Sequence, residues 1–160
     1  ERVFQLIYQL IGRAGRHIKN SSAIIQTYNI DDQYIQYACK NKINEFYSFA
    51  LQERKDLFYP PYSRLIKISI AGLKKDIISN KIYYIFNKLN KLKSIKILGP
   101  TISPIEKINN LYRMQLIIKS HKKDWLQLYQ YINKNIGFSI LEKKSKEYNL
   151  KIDVDPISFL

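Results

Sequence analysis

The residues best suited to chemistry in this sequence are Arg13 and Arg16, which close the segment Gln9–Arg16. Gly12 and Gly15 let the backbone turn tightly beside them. A guanidinium is planar and always charged, so two of them suit an oligophosphate, and an arginine can offset the charge that builds on a transferring γ-phosphoryl group. The simpler interpretation is a basic helix end, where arginine meets the helix dipole favourably. The full spacing Gln-x-x-Gly-Arg-x-Gly-Arg favours the phosphate site.

A second set of candidates lies further along the chain and suits nucleic acid. Arg113, Gln115 and Lys119 lie on one face of one predicted strand, and Lys67 lies on another strand. They predict a positive sheet surface, with Tyr112 nearby for stacking or packing. Phosphate contacts by such groups position a protein without reading sequence, and aromatic stacking adds affinity for single strands. The simpler interpretations are a solvated charge for each lysine and core packing for Tyr112.

Two further residues join the candidate DNA contacts. Lys107 lies beside two asparagines in the segment 101–111, which is predicted to be a loop with weakly specific contacts. Arg64 is one of only 6 arginines among 27 basic residues. Where lysine is so common, an arginine indicates a site that needs a planar guanidinium. Trp125, by contrast, is expected in the core.

The positive charge of the chain is unevenly spread. The net charge is +14, of which residues 1–59 carry +2 and residues 60–160 carry +12. An excess of that size indicates a polyanionic partner, either nucleic acid or an anionic surface. Compositional drift is the alternative, because Ile, Lys and Asn make up 60 of the 160 residues, as an AT-rich coding sequence would produce.

Several classes of protein are excluded by residues that the sequence lacks. The single cysteine, Cys39, forms neither an internal disulfide nor a zinc site, and His17 and His121 have no ligand-type partners at suitable spacing. No metal site, membrane span or signal peptide is therefore predicted, and the chain is expected in the cytoplasm. Because it begins at Glu1 on a helical pattern, we expect it to be a C-terminal piece of something longer.

The first part of the chain is predicted to be mainly helical. Apolar residues at helical spacing from Phe4 predict a helix that stops at Gly12. The apolar run 23–28 predicts a strand, and a buried stripe then predicts one or two helices over 34–57. That stripe comprises Ile35, Ala38, Ile43, Phe46, Ala50 and Leu51. Pro60 and Pro61 end these helices and mark the expected domain boundary.

The second part alternates strands and helices. Period-two and helical patterns predict the order β-α-β-β-α-β, and so an α+β sandwich with both helices on one face of a four-stranded sheet. The predicted strands are 65–71, 95–98, 112–119 and 150–154, and the predicted helices follow apolar stripes over 78–92 and 125–136.

The segment Gln9–Arg16 resembles motif six of superfamily-two helicases. With Glu1-Arg2-x-Phe4-Gln5-Leu6 before it, the chain resembles the PriA family of bacterial replication-restart helicases, also called primosomal protein N′. The resemblance covers essentially the whole chain. It continues through Ile25-Gln26-Thr27-Tyr28-Asn29, Phe46-Tyr47, Glu53-Arg54, Pro60-Pro61-Tyr62-Ser63-Arg64, Leu98-Gly99-Pro100, Tyr112-Arg113-x-Gln115-Leu116 and Asp153-Val154-Asp155-Pro156.

This resemblance implies roles for the two parts of the chain. Residues 1–59 would be the tail of the second α/β motor lobe with connecting helices, and residues 60–160 a basic C-terminal DNA-binding domain. The nucleotide would meet Gln9 and the two motif glycines, while Arg13 and Arg16 would lie toward the γ-phosphate. The family pattern is broken at Asn20-Ser21-Ser22, where a Pro-Gly turn is usual, and at Lys42 and Ala50, which replace acidic residues.

The implied activity is ATP-dependent 3′-to-5′ unwinding of DNA at stalled forks, followed by primosome assembly. ATP and Mg²⁺ would bind through motor lobes that this sequence lacks, because it has no phosphate loop and no Asp-Glu pair, so the chain alone should be inactive. The family's zinc-binding cysteines are absent from it too. Implied partners are branched or single-stranded DNA, primosome proteins and single-stranded-DNA-binding protein. A non-catalytic nucleic-acid-binding module and a plain interaction scaffold remain the alternatives.

Overall fold

Apolar stripes and alternating strands build two separate cores in the computed structural model of the chain. The structure describes residues 1–14, 22–136, 142–145 and 147–156. It divides the chain into two compact units, Glu1–Asp56 and Leu57–Leu160. The division lies three residues before the expected boundary, because residues 57–59 pack with the sheet of the second unit.

The first unit is a small helical cluster. It comprises α1 (Arg2–Ala14), α2 (Gln33–Cys39) and α3 (Ile43–Asp56). Phe4 and Phe46 form its centre, with ring centroids 3.6 Å apart and an interplanar angle of 2°. Asp32 caps α2 by accepting hydrogen bonds from the first two amides after Gln33, which satisfies donors that a helix start leaves unpaired. The predicted helices over 34–57 are confirmed.

Three expectations for this unit are wrong. Helix α1 does not stop at Gly12 but continues to Ala14. The run 23–28 is irregular rather than a strand, and Ile24 is 93% exposed, because no other strand lies in the described part of this unit to pair with it. Leu51, expected in the buried stripe, is exposed.

The second unit is an antiparallel five-stranded sheet with two helices. It follows the predicted order β-α-β-β-α-β with one additional short strand, so the α+β class is confirmed. The sheet order is β2-β3-β1-β5-β4. Its elements are β1 (Arg64–Gly72), α4 (Lys75–Leu89), β2 (Ile95–Ile108), β3 (Leu111–Ser120), α5 (Trp125–Ile136), β4 (Glu142–Lys144) and β5 (Tyr148–Val154).

Alternation along the strands decides which face of this sheet carries the helices. Ile66, Ile68 and Ile70 of β1 are at most 1% exposed and pack with Ile78 and Ile82 of α4. Burying each such side chain contributes about 1.5–3 kcal/mol. The face toward α4 and α5 is therefore the core face, and the opposite face of the sheet is called the outer face below.

Strand β2 is much longer than the predicted 95–98. It passes through Gly99, whose φ of +93° favours glycine and whose added Cβ would lie 3.0 Å from the Gln115 carbonyl oxygen. After two register shifts it reaches a hairpin in which Asn109 and Asn110 have φ values of 49° and 63°. Two asparagines with positive φ are typical of a tight type I′ turn. The predicted loop 101–111 is therefore mostly strand.

Candidate nucleotide and nucleic-acid sites

Helix α1 carries the described part of the arginine motif. Gln9 and Arg13 are four positions apart, so they lie on one face of α1, and both are exposed. Arg13 lies in the last turn, where its charge also suits the helix dipole. Gly12 is exposed, and a Cβ added there would meet nothing within 4 Å. Gly15 and Arg16 lie outside the described residues.

Two contacts fix α1 on α3. The rings of Phe4 and Phe46 stack, and the Arg54 guanidinium donates to both carboxylate oxygens of Glu1, with Nε 2.6 Å from Oε1. This hydrogen-bonded guanidinium holds the pKa of the Glu1 carboxyl below its usual value. Tyr34 donates to Glu53 beside this pair, and burial raises the pKa of its hydroxyl. These contacts hold α1 against α3 and leave the face with Gln9 and Arg13 exposed.

The outer face is less open than the sequence predicts. Lys67, Gln115 and Lys119 are only 6%, 5% and 4% exposed, so the expectation that these three form an exposed positive surface is wrong. Burial lowers the pKa of Lys67, and the positive charges of Arg113 and Lys151 lower it further. Strand alternation correctly gives the face of these residues but does not show what covers them.

The segment that leads into the sheet covers Lys119. Its ammonium donates to the Leu57 carbonyl oxygen at 2.8 Å and lies 3.5 Å from the centre of the Tyr59 ring. Burial, and then the charge of Lys96, lowers the pKa of this ammonium. The aromatic residue beside the two prolines thus packs on a sheet lysine, a role that its sequence position alone did not indicate.

Arg64 lies on the core-face side of the sheet, away from the outer face. Its Nε is 2.8 Å from a carboxylate oxygen of Asp155, and its guanidinium carbon is 4.6 Å from the centre of the Trp125 ring. Trp125 packs against the core, as expected. Arg64, the first residue of β1, is therefore paired with Asp155, which directly follows β5. Asp155 belongs to the terminal motif of the family resemblance, but sequence reasoning gave it no role.

The remaining candidates gather at the hairpin end of the sheet. Lys107 and Tyr112 pair across β2 and β3, and the Lys107 ammonium lies 4.8 Å from the centre of the tyrosine ring. Tyr112 also packs against the core, as its simpler interpretation predicts, while stacking on a base stays a prediction. Arg113 is half-buried on the outer face, close enough to Lys67 for their charges to interact. Lys107, Tyr112 and Arg113 are called the hairpin cluster below.

The described ranges offer no metal centre and no membrane span. No group of three or more His, Cys, Asp or Glu side chains within them could hold a metal ion. The helices of the same ranges include none long and apolar enough to cross a bilayer. Cys39 is an exposed free thiol.

Comparison with known proteins gives a consistent set of relatives. A replication restart protein PriA from Bacillus subtilis is 35% identical over 159 residues, covering 98% of this chain and 19% of that protein. Relatives of the same name from Thermotoga maritima and Borreliella burgdorferi are 38% and 32% identical, over 74% and 100% of this chain and 16% and 24% of their own lengths. The chain thus spans about a fifth of the length of these relatives.

A family comparison covers most of the second unit. The family described as primosomal protein N C-terminal domain matches residues 55–157, which is more than half of the chain. The match begins within α3 and includes every strand of the sheet. This chain therefore belongs to the primosomal protein N C-terminal domain family.

Proposed function

We propose that this chain is the C-terminal part of an ATP-dependent 3′-to-5′ DNA helicase that acts in the cytoplasm, binding branched DNA at stalled forks and restarting replication. The observation that carries the proposal is the similarity to proteins named replication restart protein PriA over 98–100% of the chain in two of the three relatives above. Supporting it, residues 60–160 carry +12 of the net charge of +14. Primosome proteins and single-stranded-DNA-binding protein are the expected partners.

Within this function the second unit holds DNA through its exposed basic groups. The hairpin cluster lies at one end of the sheet, with exposed Lys107 and the Tyr112 ring on the core-face side and half-buried Arg113 on the outer face. Phosphates attract such groups without regard to sequence, which suits a protein that must bind any fork. Buried Lys67 adds positive potential close to Arg113 rather than a direct contact, whereas buried Lys119 lies at the opposite end of the sheet.

The hairpin cluster can be tested with a double variant, Lys107→Ala with Arg113→Ala. We expect fork binding to weaken and the dependence of log affinity on log salt to become shallower by about 0.9 for each duplex phosphate that the variant no longer binds. The control is Lys40→Ala with Lys55→Ala, an equal charge loss at exposed positions of the first unit. Equal effects of the two variants would show that the hairpin cluster has no particular part in DNA binding.

The first unit contributes motor residues to a nucleotide cleft completed by the rest of the protein. Exposed Gln9 and Arg13 lie on one face of α1, and Arg16 follows three positions later. In the proposed mechanism both guanidiniums stabilise negative charge that develops on the transferring γ-phosphoryl group, and Gln9 orients the nucleotide with Gly12 and Gly15 near it. ATP and Mg²⁺ would be bound mainly by the other motor lobe.

The arginine role is tested in a complete motor by Arg16→Ala and Arg16→Lys. An arginine finger is worth about 10³–10⁵ in turnover, so DNA-stimulated hydrolysis should be nearly abolished in the alanine variant. Lysine keeps the charge but not the planar fork, and should restore little. Near-normal hydrolysis in the alanine variant would contradict the role assigned to Arg16.

A further inference from the structure

A groove lies at the end of the sheet opposite the hairpin cluster. It forms where β2 begins and β3 ends, since Ile95 pairs with Ser120 and Ser120 with Arg64. Its volume is about 440 Å³, within the range of roughly 300–1,000 Å³ typical of sites for small ligands. The residues that define this basic groove are Phe58, Lys93, Lys96, His121, Lys123 and Asp124.

The charge of the basic groove is predominantly positive. Lys93, Lys96 and Lys123 are exposed and come from both sides of it, one before β2, one within β2 and one after β3. Asp124 is the one acidic side chain among the described lining residues, and it is half-buried. The groove therefore has three flexible ammonium groups and one carboxylate. Ammonium groups spaced in this way can bind several phosphates along a chain better than they can surround one small anion.

Aromatic rings form one wall of the groove. The centroids of the Phe58 and His121 rings are 4.6 Å apart at an angle of 58°, and His121 is exposed. The backbone around Phe58 is fixed to the sheet, because the Phe58 carbonyl accepts from the Ser63 hydroxyl at 2.9 Å and the Leu57 carbonyl accepts from Lys119. The backbone that carries the Phe58 ring is therefore held in place before any ligand binds.

We propose that the basic groove binds a segment of single-stranded DNA, with phosphates on the three lysines and a base against the Phe58 and His121 rings. The proposal rests on the proposed DNA-binding function and adds which strand form is bound and where. Bases in a duplex are stacked on each other and cannot offer a face to a ring, whereas single strands bind through basic grooves with aromatic platforms. A fork offers such a strand beside its duplex arms.

The test uses the 160-residue chain and three variants. Lys96→Ala with Lys123→Ala removes two groove charges, and Phe58→Leu removes the ring but keeps an apolar side chain. The matched control is Lys74→Ala with Lys134→Ala, which also removes two charges at exposed positions but at residues that do not line the groove. Each protein is titrated with a single strand, a blunt duplex and a fork across a salt series. A 2-aminopurine base in the single strand reports stacking by loss of fluorescence.

We expect the groove double variant to lose single-strand affinity, with a salt slope shallower by about 0.7 for each phosphate that it no longer binds. Phe58→Leu should weaken single-strand binding about tenfold and abolish the 2-aminopurine quenching. Duplex affinity should change little in either. If the thermal transition shows that Phe58→Leu does not fold, the variant Lys96→Ala with Lys123→Ala still tests the groove, because both lysines are exposed.

Two results would overturn the groove assignment. One is equal loss in the groove and control double variants, and the other is unchanged single-strand binding and quenching in the groove variants. If the unsubstituted chain binds the fork and the duplex while the groove variants behave like it, only the groove assignment fails. If the unsubstituted chain binds none of the three DNAs, the proposed function of the second unit fails with it.

Discussion

Asp155 shows how one residue near the end of the chain fixes the start of the sheet. Its carboxylate accepts from the Leu65 amide at 2.9 Å and lies 2.8 Å from Arg64 Nε, while its own amide donates to the Leu65 carbonyl at 2.8 Å. Its φ of 48° is one that asparagine tolerates and alanine does not. The side chain and the backbone conformation therefore both favour Asp or Asn here.

Asp155→Ala should destabilise the second unit by about 2 kcal/mol, because it loses a hydrogen bond and strains a left-handed residue. Asp155→Asn keeps an acceptor for the Leu65 amide and should cost less than about 1 kcal/mol, the worth of a partly exposed ion pair. Denaturant unfolding of both variants measures the difference. Equal losses would contradict the assigned role of the Leu65 hydrogen bond.

Lys67 predicts a dependence of stability on pH. Burial and neighbouring cations lower its pKa from 10.5 in the folded state, so the unfolded chain binds more protons between the lowered pKa and 10.5. Below the lowered pKa, burial of the charged Lys67 ammonium reduces the free energy of unfolding by its full amount. This loss of stability becomes smaller as pH rises toward 10.5. Lys67→Met should therefore raise the unfolding free energy at neutral pH, by an amount that shrinks toward pH 10.5. A difference independent of pH would contradict this account.

The pair Glu1 and Arg54 predicts a second dependence of stability on pH, in the acid range. Hydrogen bonding to Arg54 lowers the pKa of Glu1 below 4.5. Its contribution to stability is therefore present above pH 4.5 and lost as pH falls through the lowered pKa. Because both side chains are partly exposed, Glu1→Gln should cost about 0.2–1 kcal/mol at neutral pH. This loss of stability should vanish in acid. Hydrogen exchange of the α1 amides, compared between the two proteins at each pH, measures it.

At the scale of elements, substitutions at two glycines should have opposite effects on stability. Gly99→Ala should destabilise the sheet by about 1–3 kcal/mol, since its φ is positive and the new Cβ would press on the Gln115 carbonyl. Gly12→Ala should stabilise α1 by about 0.5–1 kcal/mol, because Gly12 lies inside a helix in open space. Denaturant unfolding measures both changes. If Gly12 also lets a nucleotide or another motor lobe approach α1 closely, Gly12→Ala should lower ATP hydrolysis in a complete motor.

Patterns short enough to lie within one element were predictable from the sequence. The alternation of Ile66, Ile68 and Ile70 correctly gave a strand and its buried face. The Asn109–Asn110 turn carried a hairpin signal. The long, bulged β2 breaks the two-residue period, so only residues 95–98 were predicted to be a strand and 101–111 were predicted to be a loop. The run 23–28 has strand-forming composition, yet a strand also needs a neighbour, which the described part of its unit lacks.

Contacts between distant parts of the chain were not predictable in this way. Nothing in the alternation of β3 says that Tyr59 and the Leu57 carbonyl cover Lys119, some 60 positions away, so its burial was missed. The arginine motif could be identified because its spacing is local, and α1 presents Gln9 and Arg13 together. The basic groove joins residues from three separate segments, and only the folded sheet brings them together.

At the scale of the whole molecule, the chain joins a helical unit, which carries Gln9 and Arg13, to a basic sheet unit. The two differ in net charge, +2 for residues 1–59 and +12 for residues 60–160. Within the sheet unit, cations that are exposed or half-buried gather at two opposite ends, the hairpin cluster and the basic groove. We therefore expect duplex and single-strand contacts to be separable by mutation, as the proposed binding of forks requires.

The central claim is that the basic charge of this chain binds branched DNA rather than reflecting compositional drift. The most direct test is the affinity of the chain for a fork, a duplex and a single strand between low and physiological salt. We predict tightest binding to the fork, falling steeply as salt rises, with a slope of about −0.9 per duplex phosphate engaged. Equal and feeble binding to all three DNAs, with little dependence on salt, would contradict the claim.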